Sequence, residues 1–258
     1  MRLRWIILLT IGYYFVVTSY FIFYNMTINN IYKLIVLLLL FNFSVYGQTG
    51  EITYKITHPE EHDDTDDEMK QVNNETTLMS FSLIFNEKGS FFEKKRNVPQ
   101  NKYLATMAAI ITLSKSSYFQ NLESKNIYYN YKIGNKEYIV VDSTKMNSWT
   151  LSNETKNIEG FTCYKASKNE FNERNQTNYL REAWYAPDIP VPYGPAGYGG
   201  LPGLILEIEI RKGFVYYVSK ISLNEQENLE LPKLKDGPEI SPREKVILMR
   251  KNRTETDD

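Results

Sequence analysis

The residues best suited to hold a metal ion lie in one acidic segment, His58 to Asn74. Within it, His58-Pro-Glu-Glu-His62 matches H-x-x-E-H, a signature in which a helix places two histidines and a carboxylate around zinc. Such a site needs a third protein ligand, and the chain has no other histidine, so no catalytic metal is expected. Weak binding of a divalent cation by clustered oxygens is the alternative. It would use His58, His62, Asp63, Asp64, Asp66 and Asp67.

The single cysteine, Cys163, could be a nucleophile, a ligand for a soft metal or a buried apolar side chain. A thiolate nucleophile is activated by a neighbouring histidine, and both histidines are far away in the sequence. Burial is therefore favoured, since free cysteine is one of the residue types most often buried. No Ser/His/Asp set and no phosphate-binding G-K-[ST] motif can be assembled. The sequence thus predicts no catalytic residue, no cofactor site and no enzymatic activity.

A loop rich in glycine and proline, residues 187–203, is the most constrained part of the chain. Its five prolines fix φ at about −65° and its five glycines accept positive φ, which excludes a helix or a central strand. Two compatible interpretations follow. The loop is either a rigid plug at one end of a curved sheet or a recognition surface with Trp184, Tyr193, Tyr198 and Leu201 at its rim. The candidate binding residues are Trp184, Tyr185, Pro190, Tyr193, Gly194, Pro195, Tyr198, Gly200, Leu201, Pro202 and Gly203.

Alternation of apolar and polar residues predicts that β-strands position this loop. The predicted strands are Ile52 to Ile56, Phe81 to Phe85, Ile127 to Ile133, Lys136 to Val141, Ser148 to Leu151, Phe161 to Ala166, Tyr179 to Tyr185, Leu204 to Ile210 and Phe214 to Ile221. Asn101 to Lys115 has helical spacing instead. The polar segment His58 to Asn74 is predicted to be a solvated excursion, and the charged tail 251–258 to be disordered.

These elements predict a mainly β fold of the α+β class, in which one helix covers a curved antiparallel sheet. Strands that follow each other through short turns cannot form parallel crossovers. The order of the strands is also similar to that of the half-barrel lipoprotein carriers of the cell envelope, which is an analogy of fold alone. Residues 48–250 are expected to form this single domain.

The amino-terminal residues predict export. Residues 26–47 contain the basic start, apolar stretch and small residues of a secretion signal, so the mature chain is expected to begin at Gln48. Residues 1–25 are interpreted as an over-extended translation start or as part of a membrane anchor. Contact with a membrane is expected only if the apolar run 5–24 is retained. The cut is not followed by a cysteine, which argues against a lipid anchor, and a net charge of −1 does not favour nucleic acid.

Residues 149–221 resemble the GLPGLI family, exported proteins common in Bacteroidetes. The resemblance rests on Gly200-Leu-Pro-Gly-Leu-Ile205, on Ile158 to Ala166, which includes Cys163, and on Ala183-Trp-Tyr185. The link between the last two motifs is longer than usual in the family and lacks its glycine. The resemblance implies a periplasmic or secreted protein, in some cases associated with the outer membrane, that has no cofactor and no established biochemical role.

Three functions are consistent with these features. The favoured one is a non-enzymatic binding module for an apolar ligand, a peptide or a protein partner, because the loop is aromatic and no catalytic set is present. The second is a structural or assembly component of an outer-membrane complex. The third is a metal-binding protein that uses the acidic segment or Cys163.

Overall fold

The structure is a computed structural model that describes residues 49–58, 67–172, 175–211, 213–224 and 229–256. The predicted secretion signal, the extension that precedes it and residues 59–66 of the acidic segment lie outside this part of the chain. Within the described ranges, no helix is both long and apolar enough to cross a membrane.

Twelve strands and three helices make up the described part of the chain. The strands are β1 Gly50–Thr57, β2 Phe81–Asn86, β3 Gly89–Lys94, β4 Tyr118–Asn121, β5 Asn126–Ile133, β6 Lys136–Asp142, β7 Thr150–Ile158, β8 Phe161–Asn172, β9 Thr177–Ala186, β10 Leu204–Arg211, β11 Phe214–Leu223 and β12 Glu239–Ile240. The helices are α1 Asp67–Thr77, α2 Lys102–Ile111 and α3 Pro242–Thr256. Short 3₁₀ turns lie at Thr144–Met146 and Pro195–Gly197.

All twelve strands belong to one open sheet with the order β12-β6-β5-β4-β3-β2-β1-β11-β10-β9-β8-β7. Neighbouring strands are mostly consecutive in sequence and antiparallel, as short turns require. β1 pairs with both β2 and β11 and thereby joins the two halves of the chain. The prediction of a mainly β, antiparallel fold is confirmed. The short β12 pairs in parallel with β6 and is the exception.

Aromatic side chains fill the centre of the core. The rings of Phe81 and Phe92 stack with their centroids 5.7 Å apart, and Tyr216 packs edge-on against Phe81 at 4.8 Å. The hydroxyl of Tyr54 donates to the carbonyl of Ile205 at 2.6 Å, so this buried tyrosine has a hydrogen-bond partner. β3 was not predicted because Phe91 and Phe92 are both buried, and the usual alternation is therefore missing.

The predicted helix is present as α2, which is four residues shorter at its carboxyl end than predicted. The side chain of Asn101 caps it by accepting from the backbone N–H of Tyr103 at 2.9 Å and of Leu104 at 3.3 Å. After Ile111 the helix stops, and Leu113 adopts a positive φ of 58°. Its inner face buries Leu104, Ala105, Ala108, Ala109 and Ile111.

Two further helices show that three predictions are wrong. These are that a single helix covers the sheet, that the acidic segment is solvated as far as Asn74, and that the tail is disordered from residue 251. α1 occupies the second half of the acidic segment, where Val72 and Thr76 are buried and Glu75 accepts from the backbone N–H of Asn101 at 2.5 Å. α3 continues through residue 256, so 251–256 are helical. Its first turn is a capping box in which Ser241 and Glu244 exchange hydrogen bonds, a signal that the charged composition concealed.

Candidate functional site: the glycine and proline loop and the hairpin end

The loop between β9 and β10 is folded back against the sheet and closed by its own backbone. Gly200 N donates to the carbonyl of Pro192 at 2.9 Å, and Ile205 N donates to that of Tyr193 at 2.9 Å. Gly200 has a φ of +81°, and a Cβ atom there would lie only 1.8 Å from the carbonyl oxygen of Met146. Only glycine can approach the neighbouring 3₁₀ turn this closely.

Three of the four predicted rim residues are buried, and that part of the prediction is wrong. Tyr193, Tyr198 and Leu201 are each 1% exposed or less. Tyrosine tolerates burial when its hydroxyl finds a partner, and the Tyr198 hydroxyl donates to Glu170 Oε2 at 2.7 Å. These side chains form a plug, and they do not present a recognition surface.

The other predicted residues divide between the plug and the surface. Trp184 is half-buried, with the Lys156 ammonium 4.5 Å from its ring centroid. The side chain of Tyr185 is buried beside the ring of Tyr164, with the centroids 6.2 Å apart. Gly194, Pro195 and Gly203 are buried, whereas Pro190, Gly200 and Pro202 are exposed.

Polar side chains from outside the loop hold its carbonyl groups. Gln120 Nε2 donates to the carbonyls of Gly197 and Tyr198, each at 2.9 Å. The indole N–H of Trp149 donates to Gly199 at 2.8 Å. With the loop thus fixed from β4 and from the start of β7, its conformation depends on residues far away in the sequence.

Lys145 provides a buried charged contact to the loop. Its ammonium donates to the carbonyl of Ala196 at 2.7 Å and lies 4.5 Å and 4.9 Å from the ring centroids of Tyr118 and Tyr198. Ala196 has a φ of 53°, which is unusual for a residue other than glycine, and this contact stabilises it. Burial lowers the pKa of Lys145 to about 8, although Glu170 and Asp142 act in the opposite direction.

Glu170 and Arg181 complete the cluster from β8 and β9. Arg181 Nε donates to Glu170 Oε2 at 2.6 Å, the same oxygen that accepts from Tyr198. Burial acts to raise the pKa of Glu170, but Lys145 and Arg181 outweigh it and hold that pKa below its ordinary value. Glu170 is therefore an ionised carboxylate, and its hydrogen bonds with Arg181 and Tyr198 hold the plug in place.

Sequence reasoning did not find this polar cluster, which we call the loop lock: Gln120, Lys145, Trp149, Glu170 and Arg181. A usable signal existed in β8, where Lys168 and Glu170 share strand parity with the buried Ala166. Charged residues at inward positions need partners. Lys168 has its own, since its ammonium donates to the carbonyls of Thr144 and Asn147.

Cys163 is fully buried in β8, and its thiol lies 3.6 Å from the carbonyl oxygen of Phe161. Burial is the main cause that raises the pKa of this thiol to about 11. The thiolate needed by a nucleophile or a metal ligand is therefore disfavoured at neutral pH.

His58 is the only described histidine, and both of its ring nitrogens are engaged. Nδ1 lies 2.9 Å from the carbonyl oxygen of Gly213, and Nε2 lies 2.6 Å from Thr76 Oγ1. The ring also packs edge-on against Phe214 at 4.8 Å. Its proposed partners at 59–66 lie outside the described residues, and within the described ranges no three His, Cys, Asp or Glu side chains could hold a metal.

The exposed apolar residues closest to the loop lock lie at the end of the β8–β9 hairpin. Phe171 and Leu180 are 48% and 62% exposed. Phe171 pairs with Asn178 and Leu180 with Asn169, so the two side chains are diagonal neighbours on one face. Tyr179, on the opposite face, is also exposed. We call Phe171, Tyr179 and Leu180 the hairpin end.

α3 contributes a cleft beside this hairpin. The cleft has a volume of about 490 Å³ and is lined by Gln176, Arg243, Val246, Ile247 and Arg250. Gln176 belongs to the turn between β8 and β9, so the cleft connects the helix with the hairpin. Ile247, which lines the cleft together with Gln176, is 54% exposed.

Comparison with known proteins found similar solved structures. The chain matches no curated protein. Two solved structures of PNGF-II, in its C2 and P21 crystal forms, superpose with TM-scores of 0.51 and 0.50 at 17% identity. The superposed residues make up 80% of this chain but only 33% and 34% of the PNGF-II chains. The chain therefore spans about a third of that protein, and the likeness is one of fold.

A family model described as a protein of unknown function, Porph_ging, matches residues 168–207. This range begins at Lys168, contains Glu170, Arg181 and the whole loop, and ends in β10. Gln120, Lys145 and Trp149, which hold the loop from outside, precede it. The resemblance to the GLPGLI family inferred from the sequence is thereby confirmed over residues 168–207.

Proposed function

We propose that the protein is an exported, non-catalytic binding module whose partner is another protein of the cell envelope. The observation that carries the proposal is the exposure of Phe171, Tyr179 and Leu180 at the hairpin end, next to Ile247 of α3. Phe171 and Leu180 are diagonal neighbours on one face of this hairpin, and exposed apolar side chains that lie together mark sites of protein interaction.

A protein partner is favoured over a small apolar ligand because of where the aromatic residues lie. Tyr193, Tyr198 and Leu201, the side chains expected to contact such a ligand, are packed inside the plug. The loop is also held by hydrogen bonds from Gln120 and Lys145 that an opening movement would break. The apolar side chains that remain for binding are therefore the exposed ones of the hairpin end, and these suit a protein partner.

The open edge of the sheet at β7 is less suited to partner binding. The register between β7 and β8 shifts between Leu151 and Thr155, and this bulge interrupts the regular edge. Glu154 and Lys156 place charges on the same strand. Bulges and charges are devices that prevent a further strand from pairing, so docking through side chains of the hairpin end is preferred.

Site-specific photo-cross-linking tests the proposal. A photoreactive phenylalanine at position 180 should capture a discrete partner in cells that export the protein. The same residue at Val98, which is 90% exposed and lies between β3 and α2, is the matched control and should capture none. Equal adducts at both positions, or none at 180 in protein that is exported and folded, would contradict the proposed function.

The proposed address rests on residues 26–47 and has a separate test. The amino terminus of the exported protein should begin at Gln48, as the secretion signal predicts. A chain that starts at Met1 or Met26 in the exported fraction would refute cleavage at this site.

A further inference from the structure

The cleft beside α3 is lined by two apolar side chains, Val246 and Ile247, and by two arginines, Arg243 and Arg250. Arg243, Val246, Ile247 and Arg250 are spaced so that they lie along one stripe of the helix. Lys245 anchors the helix through another face, because its ammonium donates to the hydroxyl of Tyr129 at 2.8 Å. This contact fixes the rotation of α3 and keeps the stripe turned toward Gln176.

The side chains of the two arginines at the ends of the stripe do not help to hold the fold together. Within the described part of the chain, neither guanidinium has a hydrogen-bond or ion-pair partner. Glu244, which follows Arg243 in the sequence, accepts from the backbone N–H of Ser241 at 2.7 Å. Seven residues separate Arg243 from Arg250, which places them two helical turns or about 10 Å apart.

We propose that this cleft binds an acidic segment of the partner protein in an extended conformation, with two carboxylates three residues apart and an apolar residue between them. The inference rests on the proposed function, since it assumes that the partner is a protein. In a polyproline-II conformation, residues three apart lie on the same side and about 9 Å from each other, close to the spacing of the two arginines.

The chemistry of the cleft matches such a segment at each point. A guanidinium presents paired N–H groups that bind a carboxylate through two parallel hydrogen bonds. Ile247, 54% exposed between the arginines, offers a contact for the apolar residue.

Fluorescence anisotropy with two labelled peptides tests the inference on the purified protein. The probes are fluorescein-Gly-Glu-Pro-Leu-Glu-Gly and the same peptide with glutamine in place of both glutamates. The protein should bind the glutamate peptide at least tenfold more tightly. An Arg243→Gln/Arg250→Gln variant should lose this preference, whereas Arg96→Gln, a change at an exposed arginine outside the cleft, should keep it. Circular dichroism of each variant checks that α3 is retained.

Several results would overturn the inference: equal binding of both peptides, no binding at millimolar protein, or unchanged binding by the double variant. Binding of the double-arginine site to vesicles of anionic phospholipid, without binding of the peptide, would assign the cleft to a membrane surface and also overturn it. Cross-linking from position 180 separates this failure from that of the proposed function. If the partner adduct forms while the peptides are not distinguished, only the acidic-segment inference fails.

Discussion

Replacement of Gly200 by alanine should destabilise the protein far more than the loss of an ordinary glycine does. The new Cβ would lie 1.8 Å from the carbonyl oxygen of Met146 and 2.7 Å from its carbonyl carbon, whereas real Cβ contacts are essentially never below 3.0 Å. Both atoms belong to the backbone, so no change of rotamer can relieve the contact. Either the loop must move away from the 3₁₀ turn at Thr144–Met146, or that turn must itself be displaced.

The expected magnitude has two parts. A non-glycine residue at a φ of +81° costs about 1–2 kcal/mol. Displacement of the loop from the turn adds the loss of buried contacts made by Tyr198 and Leu201, so the total should exceed about 4 kcal/mol, in the range of the most damaging single substitutions.

Gly160 is a matched control because it isolates the first part. It also has a positive φ, +86°, but a Cβ atom there would meet nothing within 4 Å. Gly160→Ala should therefore lower the free energy of unfolding by only about 1–2 kcal/mol. Urea denaturation followed by circular dichroism measures both variants. If Gly200→Ala costs no more than Gly160→Ala, the close seating of the loop on Met146 is refuted.

Three further predictions concern buried groups. Because the pKa of Lys145 is about 8 in the folded protein and ordinarily 10.5, the unfolded chain binds more protons above pH 8, and the free energy of unfolding should rise by about 1 kcal/mol per pH unit toward pH 9.5. Lys145→Met should flatten that rise in urea titrations, and an unchanged slope would contradict the assignment. Glu170→Gln leaves Arg181 without its carboxylate and should cost about 3–5 kcal/mol in the same assay, against under about 1 kcal/mol for the exposed Glu154→Gln. The Cys163 thiol should resist iodoacetamide at pH 8 in the native protein and react in urea, so rapid native alkylation would disprove its burial.

Most of the fold could be predicted from patterns that are local in the sequence. Hairpins such as β5–β6 were predictable because alternation and the turn at Gly134 are both local in sequence. α1 was not, because only Val72, Glu75 and Thr76 face inward and the rest of the segment has the composition of a solvated loop.

Most of the loop lock was missed for a different reason, although β8 carried a signal for Glu170. Its partners are distant, since 51 residues separate Lys145 from Ala196 and 77 separate Gln120 from Gly197. Lysine and glutamate are usually exposed, which hid the inward direction of Lys145 in its 3₁₀ turn and of Glu170 in β8. Tyr198 was placed at the surface because its sequence neighbours gave no sign that Glu170 would satisfy its hydroxyl.

The position of β1 in the middle of the sheet has a consequence for the order of assembly. Its neighbour β2 begins at Phe81, directly after α1, but its other neighbour, β11, begins only at Phe214. Strands β2 to β6 can therefore pair as soon as they emerge, while one edge of β1 must wait for the end of the domain. Closing so long a loop is entropically costly and slows folding. We therefore expect the seam between β1 and β11 to form late, and until it forms β1 has an open edge with which another chain or a chaperone can pair.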